Sequence, residues 1–540
     1  MSVDRKTAGV MVILLAVCLS GGCGERGGAR GSTKALAPRV DLGRTIGSLG
    51  KVTGPVAMPV EGLGLVGGLR GTGSAECPPA VRAYLARYIA TQVTEGKVDV
   101  DELITSLDTA VVFVQGTVPA GSWQNQTFDV RVTPVPGTQT TSLEGGWLYT
   151  AELKLRGAFG ATTRALANAQ GPVFTDKISA TGADPKLGYV LAGAKVLDEH
   201  MVVIMLGGSD YMVASNIRNR LNERYGHGTA RAISSSQIEV RVPAKYRPRK
   251  ERFVSMLEAT YLEHTPGLAE ARIRTFVGKL AAPGDRYASE VALEAIGNAG
   301  LSKLGILLNS SDEEVRLRAA RCMLNLGSDR GLQSLREVAM DARSAHRVAA
   351  LEALTASANR SDAAAVCRRL LSDNDFNIRL VVLEQLRRLD DVSVTQRLVA
   401  GSFYLDQIAQ ADRKVVFVSR SGQPRIVLFG APLYCRDNVF VQSADGNIVM
   451  DSRAGQKYVS LMRRHPTRPV MIGPLKCSFR LSDIIQVLCE EPLRQGKPRG
   501  GLGVSYSDMI ALVKQMCDKG VVRAEFRAGP MPKIGLNVKK

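Results

Sequence analysis

The stretch Val60-Glu61-Gly62-Leu63-Gly64-Leu65-Val66-Gly67-Gly68-Leu69-Arg70-Gly71-Thr72-Gly73-Ser74 decides how the rest of this chain is read. Gly62, Gly64 and Gly67 spell the G-x-G-x-x-G spacing of a dinucleotide-binding turn. That chemistry needs the glycines to open a helix whose first N–H groups face a pyrophosphate, with a carboxylate about twenty residues on for the ribose. Here Gly68, Gly71 and Gly73 follow at once, each costing about 1 kcal/mol inside a helix. No strand ending in a carboxylate stands at the right distance, so nucleotide binding is set aside.

Outward from this stretch, 540 residues with 45% hydrophobic and 22% charged content suffice for about three domains with their own cores, and argue against wholesale disorder. Arg5 and Lys6, an apolar run over 10–19 and then Ser20-Gly21-Gly22-Cys23 have the pattern of a secretion signal. The run is too short for a comfortable membrane span. Residues 1–23 are read as a signal peptide with a lipobox-like end, Cys23 being the acylated first residue of the mature chain. Ordinary cleavage nearby, with Cys23 discarded or free, is the alternative. Residues 24–42, rich in Gly, Arg, Ala and Ser, read as a flexible linker.

Seventy Lys and Arg against 51 Asp and Glu leave a net charge of +19. An exported chain meets cell-wall peptides, lipid head groups and acidic polymers rather than nucleic acid, and no nucleic-acid partner is expected. Lys245, Arg247, Arg249, Lys250 and Arg252 form the densest basic run, read either as a solvated loop and helix start or as a binding patch. Nine cysteines show no C-x-x-C pair and no zinc spacing. Cys322 and Cys367 are expected as buried small hydrophobes, while Cys435, Cys477 and Cys489 lie close enough in sequence for one disulfide.

From 43 to about 263, strand signals at 111–114, 128–133, 147–155 and 201–206 alternate with helical spacing at 78–93 and 215–225, an α+β pattern. Between 285 and 390 the signals are helical alone. Arg286, Arg316, Arg347 and Arg379 recur at spacings of 30, 31 and 32, and seven residues after each stands Leu293, Met323, Leu354 or Leu386. Such a period means stacked helical pairs, each needing neighbours to bury its apolar stripe. The arginines are expected to bond preceding carbonyls or water at helix ends rather than a partner on the concave face. After a short connector, sheet signals return: a hairpin over 414–418 and 425–429, strands near 438–441, 447–451 and 471–479, then helices over 482–489 and 507–518. Ser507 is an N-cap candidate for the last helix, Ser505 another, and Gly520 stands at its C′ position.

Four blocks carry a family resemblance. The opening stretch is similar, nearly position for position, to the G-Y-G-L-V-V-G-L-N-G-T-G-D signature of flagellar P-ring proteins, with Gly67 where that family usually has Val. Phe128-Asp129-Val130-Arg131-Val132-Thr133 with Ser142-Leu143-Glu144-Gly145-Gly146-Trp147-Leu148 resembles I-D-V-T-V-S-S…S-L-R-G-G-T-L-L. Tyr225-Gly226-His227-Gly228-Thr229-Ala230-Arg231-Ala232 with Ile238-Glu239-Val240-Arg241-Val242-Pro243 resembles F-G-P-G-T-A-R-A…V-E-V-R-V-P. In the tail, Val415-Val416-Phe417-Val418-Ser419-Arg420-Ser421-Gly422 resembles V-V-I-N-E-R-T-G, and the segments 481–488 and 503–512 resemble L-A-D-V-V-R-A-L and G-V-T-P-R-D-L-I-A-I-L. The resemblance brackets the chain over roughly 43–263 and 405–528, and the helical repeat, similar to HEAT repeats, reads as an insertion between them.

The expected fold is therefore α+β: P-ring-like mixed sheet domains at 43–265 and 405–540, interrupted by an all-α HEAT-like solenoid at 285–390. The resemblance implies a glycine-rich loop running into a strand at the opening signature, no cofactor and no catalysis. It also implies a structural subunit of the basal-body P ring, a periplasmic homo-oligomeric ring around the distal rod. The implied partners are rod and outer-membrane ring proteins and peptidoglycan, with Cys23 adding an anchor to the outer membrane. The inserted repeats are expected to project from the ring. The alternative is an envelope-anchored lipoprotein that uses the repeats to hold a protein partner and serves no flagellum.

Independent chemistry is not in view. His200, His227, His264, His346 and His465 form no metal-binding spacing. Gly503-Val504-Ser505-Tyr506-Ser507 lacks the closing glycine of a nucleophile elbow. Asp483, Glu490 and Glu491 are the carboxylates a cell-wall hydrolase would need, but their separation is not readable from spacing. No catalytic, cofactor-binding or metal-binding residue is assigned.

Overall fold

The computed structural model describes residues 41–92, 99–157, 163–179, 184–465, 468–491 and 500–534. Cys23, the signal segment and residues 24–40 of the linker lie outside them.

The opening glycine stretch is itself a strand, Met58–Gly67, and the turn comes after it, at Gly68 and Gly71 with φ of 78° and 86°. This reverses the expected order of loop and strand. The reason is close approach. Met58–Gly67 pairs on one side with Thr109–Val118 and on the other with Trp147–Leu155, and a Cβ on Gly62 would stand 2.1 Å from the Glu152 carbonyl oxygen. The strand is one stave of a closed antiparallel barrel. Its order continues through Thr127–Pro134, Gly188–Val196 and Ala167–Pro172 before returning through Trp147–Leu155.

Six strands enclose a narrow interior, so small side chains must share it with Val and Leu. Ala151, Ala167, Ala169 and Ala194 do so beside Val112, Val114, Val130, Val132 and Leu153. That requirement explains why Ala167–Pro172 and Gly188–Val196 gave no strand signal: their Ala, Asn and Gly fit the barrel but have poor strand propensity.

Beside the barrel, Gly50–Thr53, Val202–Leu206, Gln237–Val240 and Ala230–Ala232 form an antiparallel sheet. Helices Tyr211–Tyr225 and Lys250–Glu258 close its core around Ile204, Ile217, Leu221, Ile238, Phe253 and Met256. The first helix begins four residues before the expected 215 because Asp210 caps it, accepting from the N–H groups of Met212 and Val213.

The helical array starts earlier than 285, at Pro266–Ala281, and continues through Arg286–Ile296, Leu301–Leu307, Glu313–Asn325, Leu332–Met340, Arg347–Ser357, Arg360–Leu370 and Phe376–Arg388. Leu293, Met323, Leu354 and Leu386 are all fully buried, as the period requires. Asp285, Asp312 and Asp375 cap three of the helices that carry the repeated arginines.

Sheet returns at Thr395–Val399, inside the expected connector. A five-stranded sheet runs Thr395–Val399, Phe403–Ile408, Arg425–Phe429, Val415–Val418, Glu525–Ala528, and contains the expected hairpin. Arg425–Phe429 is buried along its whole length, and its alternation divides two cores. Ile426 and Leu428 pack with the tail, whereas Val427 and Phe429 pack with Leu383 and Leu386 of the array. A second, four-stranded sheet, Val439–Gln442 to Met471–Cys477, and helices Leu481–Cys489 and Tyr506–Asp518 complete the tail.

Val291 of the array joins the core of the N-terminal sheet, and Val382, Leu383 and Leu386 join that of the five-stranded sheet. Two expectations are corrected here. The seven described cysteines are all unpaired, so Cys435, Cys477 and Cys489 form no disulfide. Ser505, not Ser507, caps the last helix, its hydroxyl accepting from the Asp508 N–H. Ser505→Ala is expected to cost about 1 kcal/mol, read as roughly fivefold faster amide exchange in the first turn of that helix.

Candidate functional site

The five histidines lie in separate loops and turns, His200 placing Nδ1 3.0 Å from the Ser122 hydroxyl. Asp483 pairs with the Ser478 hydroxyl and Glu490 with the Gln486 amide. No group of three or more His, Cys, Asp or Glu able to hold a metal occurs among the described residues. What the structure does build is two polar seams.

The first seam joins the array to the N-terminal sheet, and the basic run is its main component. Arg252, 7% exposed, donates through Nη2 to Glu290 at 2.7 Å and through Nε to Glu294 at 3.0 Å. Glu290 is wholly buried and also accepts from Arg321 Nε at 2.6 Å and Arg318 Nη1 at 3.1 Å. Burial pushes the Glu290 carboxyl up, but Arg252 and Arg321 outweigh it and hold it below the usual range. Asn325 links onward, donating to Glu294 at 2.9 Å and accepting from Arg249 at 2.9 Å. Lys250 donates to the Ala120 carbonyl and, with Arg247, lies over the Trp123 ring. The basic run spans a turn and the start of Lys250–Glu258, as one of its two readings has it: Arg249 and Arg252 are tied into the seam, while Lys245 is exposed and Arg247 and Lys250 are partly so. The buried partners of Arg252 could not be read from spacing along the chain.

The second seam joins barrel and tail. Asp129, from the quoted F-D-V-R-V-T block, accepts from the Ala192 N–H at 2.7 Å and from the Gly422 N–H at 2.8 Å. Gly422 belongs to the quoted tail block, 293 residues away. Arg420 donates to Asp176 at 3.0 Å, the Thr175 N–H to the Ser507 hydroxyl at 3.1 Å, and Lys177 bridges Asp508 and Glu144. Phe174 and Leu191 of the barrel region enter the tail core, where the Phe174 and Tyr506 rings lie 5.9 Å apart. Burial raises the Asp129 carboxyl despite its two backbone donors. Asp129→Ala is expected to free the Gly422 turn, seen as faster proteolysis and amide exchange over 419–424 with the barrel unchanged. Asp129 and Gly422 were both inside quoted blocks, but only as strand and turn residues.

Three of the four repeated arginines follow the expected carbonyl pattern. Arg286 donates to Ala282, Arg316 to Ser310 and Ser311, and Arg347 to Ala339. Arg379 does not.

Residues 45–273 match the family described as flagellar P-ring protein, and residues 301–387 match HEAT repeats. The flagellar P-ring protein of Hydrogenovibrio crunogenus is 27% identical over 252 residues, 43% of this chain and 64% of its own. That of Thermotoga maritima is 27% identical over 275 residues, 47% and 77% respectively. That of Legionella pneumophila strain Philadelphia 1 is 29% identical over 230 residues, 39% and 59%. The match thus spans between about half and three quarters of these relatives. The resemblance to the flagellar P-ring family is upheld over residues 45–273, and the repeat is of the HEAT type over 301–387.

Proposed function

We propose that this chain is a structural subunit of a bacterial flagellar basal-body P ring, in which residues 43–265 and 405–540 form one ring-building body and the HEAT array is a docked addition. The observation that carries the reading is the second seam: Asp129 and Gly422 meet, and Phe174 and Leu191 sit in the tail core with no array residue among them. These contacts support reading the two motif-bearing segments, separated by the array, as one body. Identical subunits meeting head to tail close into a ring only when the rotation between them divides the circle. On this reading the ring surrounds the distal rod in the periplasm, with peptidoglycan and the outer-membrane ring as neighbours and Cys23 as a lipid anchor. No step of catalysis is assigned to it.

The test is assembly. Co-expressed with rod proteins, the full chain is expected to give rings by electron microscopy, and a strain lacking it to lose motility. A protein that stays monomeric on assembled rods, in cells that swim normally without it, would overturn the reading. Removing 285–390 is a poor test, because it strips Val427 and Phe429 of their packing.

A further inference from the structure

The last of the repeated arginines, Arg379, has neither the carboxylate of Arg286 and Arg347 nor the carbonyl partners of Arg316. Arg286 reaches forward to Asp312 at 2.8 Å and Glu314 at 2.8 Å, and Arg347 reaches forward to Asp373; both aspartates stand 26 residues on. Two of the repeated arginines are thus paired with a carboxylate from later in the array, whereas Arg316, with Ala342 at the same offset, donates to the Ser310 and Ser311 carbonyls. After Arg379 there is no further repeat. Residue 405 at the matching offset is Leu, and Asp406 beside it is held by Arg425 at 2.7 Å.

Arg379 is nevertheless 1% exposed, and its Nε and Nη1 are sealed from solvent with no hydrogen-bond partner. Its Cζ lies 5.0 Å from the Phe376 ring centre and 5.7 Å from that of Phe429. Ring faces stabilise the cation through its own faces, but guanidinium N–H groups point outward in its plane and stay unsatisfied. Leaving such donors dry costs more than an ordinary hydrogen bond contributes. Two further guanidinium groups gather beside it. Arg527, from the edge strand Glu525–Ala528, lies 4.5 Å over the Phe376 ring, and Arg413 donates to Asn374 at 2.8 Å. Both are exposed. Burial and these two cations depress the Arg379 pKa. Of the nearby carboxylates, Glu525 is engaged by Arg527 and Asp373 by Arg347.

We infer that Arg379, Arg413 and Arg527 form an oxyanion-binding site at the end of the array, where an external carboxylate or phosphate takes the place that Asp312 and Asp373 fill in the earlier repeats. Arg413 and Arg527, long and exposed, swing aside to admit the anion and then close on it with charge-assisted hydrogen bonds. The same chemistry serves a free anion or an acidic side chain of another protein. The inference stands whether or not the chain builds a ring.

The test is calorimetric titration of the full chain, at low ionic strength, with inorganic phosphate and separately with a hexaglutamate peptide. A net charge of +19 attracts anions everywhere, so the readout is the difference from Arg379→Met. One saturable site is expected for at least one probe, abolished in Arg379→Met and weakened about tenfold in Arg413→Ser and in Arg527→Ser. Binding of phosphate alone assigns the site to free anions, and binding of the peptide assigns it to an acidic protein segment. Should Arg379→Met misfold, the two exposed-residue variants decide. No saturable binding, or equal binding in the variants, would overturn the proposal.

Discussion

Glu290→Ala is expected to undo the start of the helical array, costing about 3–5 kcal/mol, because it leaves Arg252, Arg318 and Arg321 facing a buried site with one counter-charge fewer. Arg318 and Arg321 retain some exposure and can turn outward, whereas Arg252 at 8% side-chain exposure cannot. The loss should therefore be coupled mainly to Arg252. In an Arg252→Met background the Glu290→Ala penalty is expected to shrink by at least about 1 kcal/mol, as double-mutant cycles on contacting groups do. Amide exchange over Arg286–Ile296 measures both effects, and additive losses would show that the pair does not act as a unit. The pH dependence follows in sign. A carboxyl held below its unfolded value contributes stability above that value, and the contribution fades as pH falls through the folded one. For Glu290, whose pKa is lowered, the loss comes below about pH 4. Asp312, held down by Arg286, adds in the same direction. Acid titration of the array should be flatter for Glu290→Gln than for the native chain.

Gly62→Ala is the second large effect. The added carbon would stand 2.1 Å from the Glu152 carbonyl oxygen and 3.2 Å from Leu153 Cδ2, with strands on both sides. Neither a backbone oxygen nor a barrel stave can yield by an ångström without opening the ladder. The cost is expected at about 3 kcal/mol or more, at the upper end for overpacking, and the soluble yield should fall with it. Gly71→Ala, which meets nothing within 4 Å but sits at φ 86°, is the control: it carries backbone strain alone and should lose less. Equal losses would mean that the signature is selected for turning and not for closeness.

That contrast shows how much was legible. The strand Trp147–Leu155 and the tail hairpin could be read residue by residue, because Val, Leu, Phe and Trp alternating between turn residues have few other uses. The barrel could not, because Ala167–Pro172 and Gly188–Val196 are strands by virtue of space and pairing, not propensity. The basic run was visible but not its meaning, since Glu290 and Glu294, 38 and 42 residues beyond Arg252, lie on another element. For the same reason the disulfide expected from proximity in sequence was absent.

Local chemistry along the chain was enough to settle the α+β class, the period near 31 residues and the buried positions Leu293, Met323, Leu354 and Leu386. These depend on neighbours a few residues away, or on one unit repeated. Only the tertiary structure decided that Asp129 holds Gly422, that the array is wedged against two cores, and that Arg379 is left without a carboxylate. Each of these is a meeting of groups tens to hundreds of residues apart, set by how sheets and helices exclude water together, and no run of sequence carries that distance.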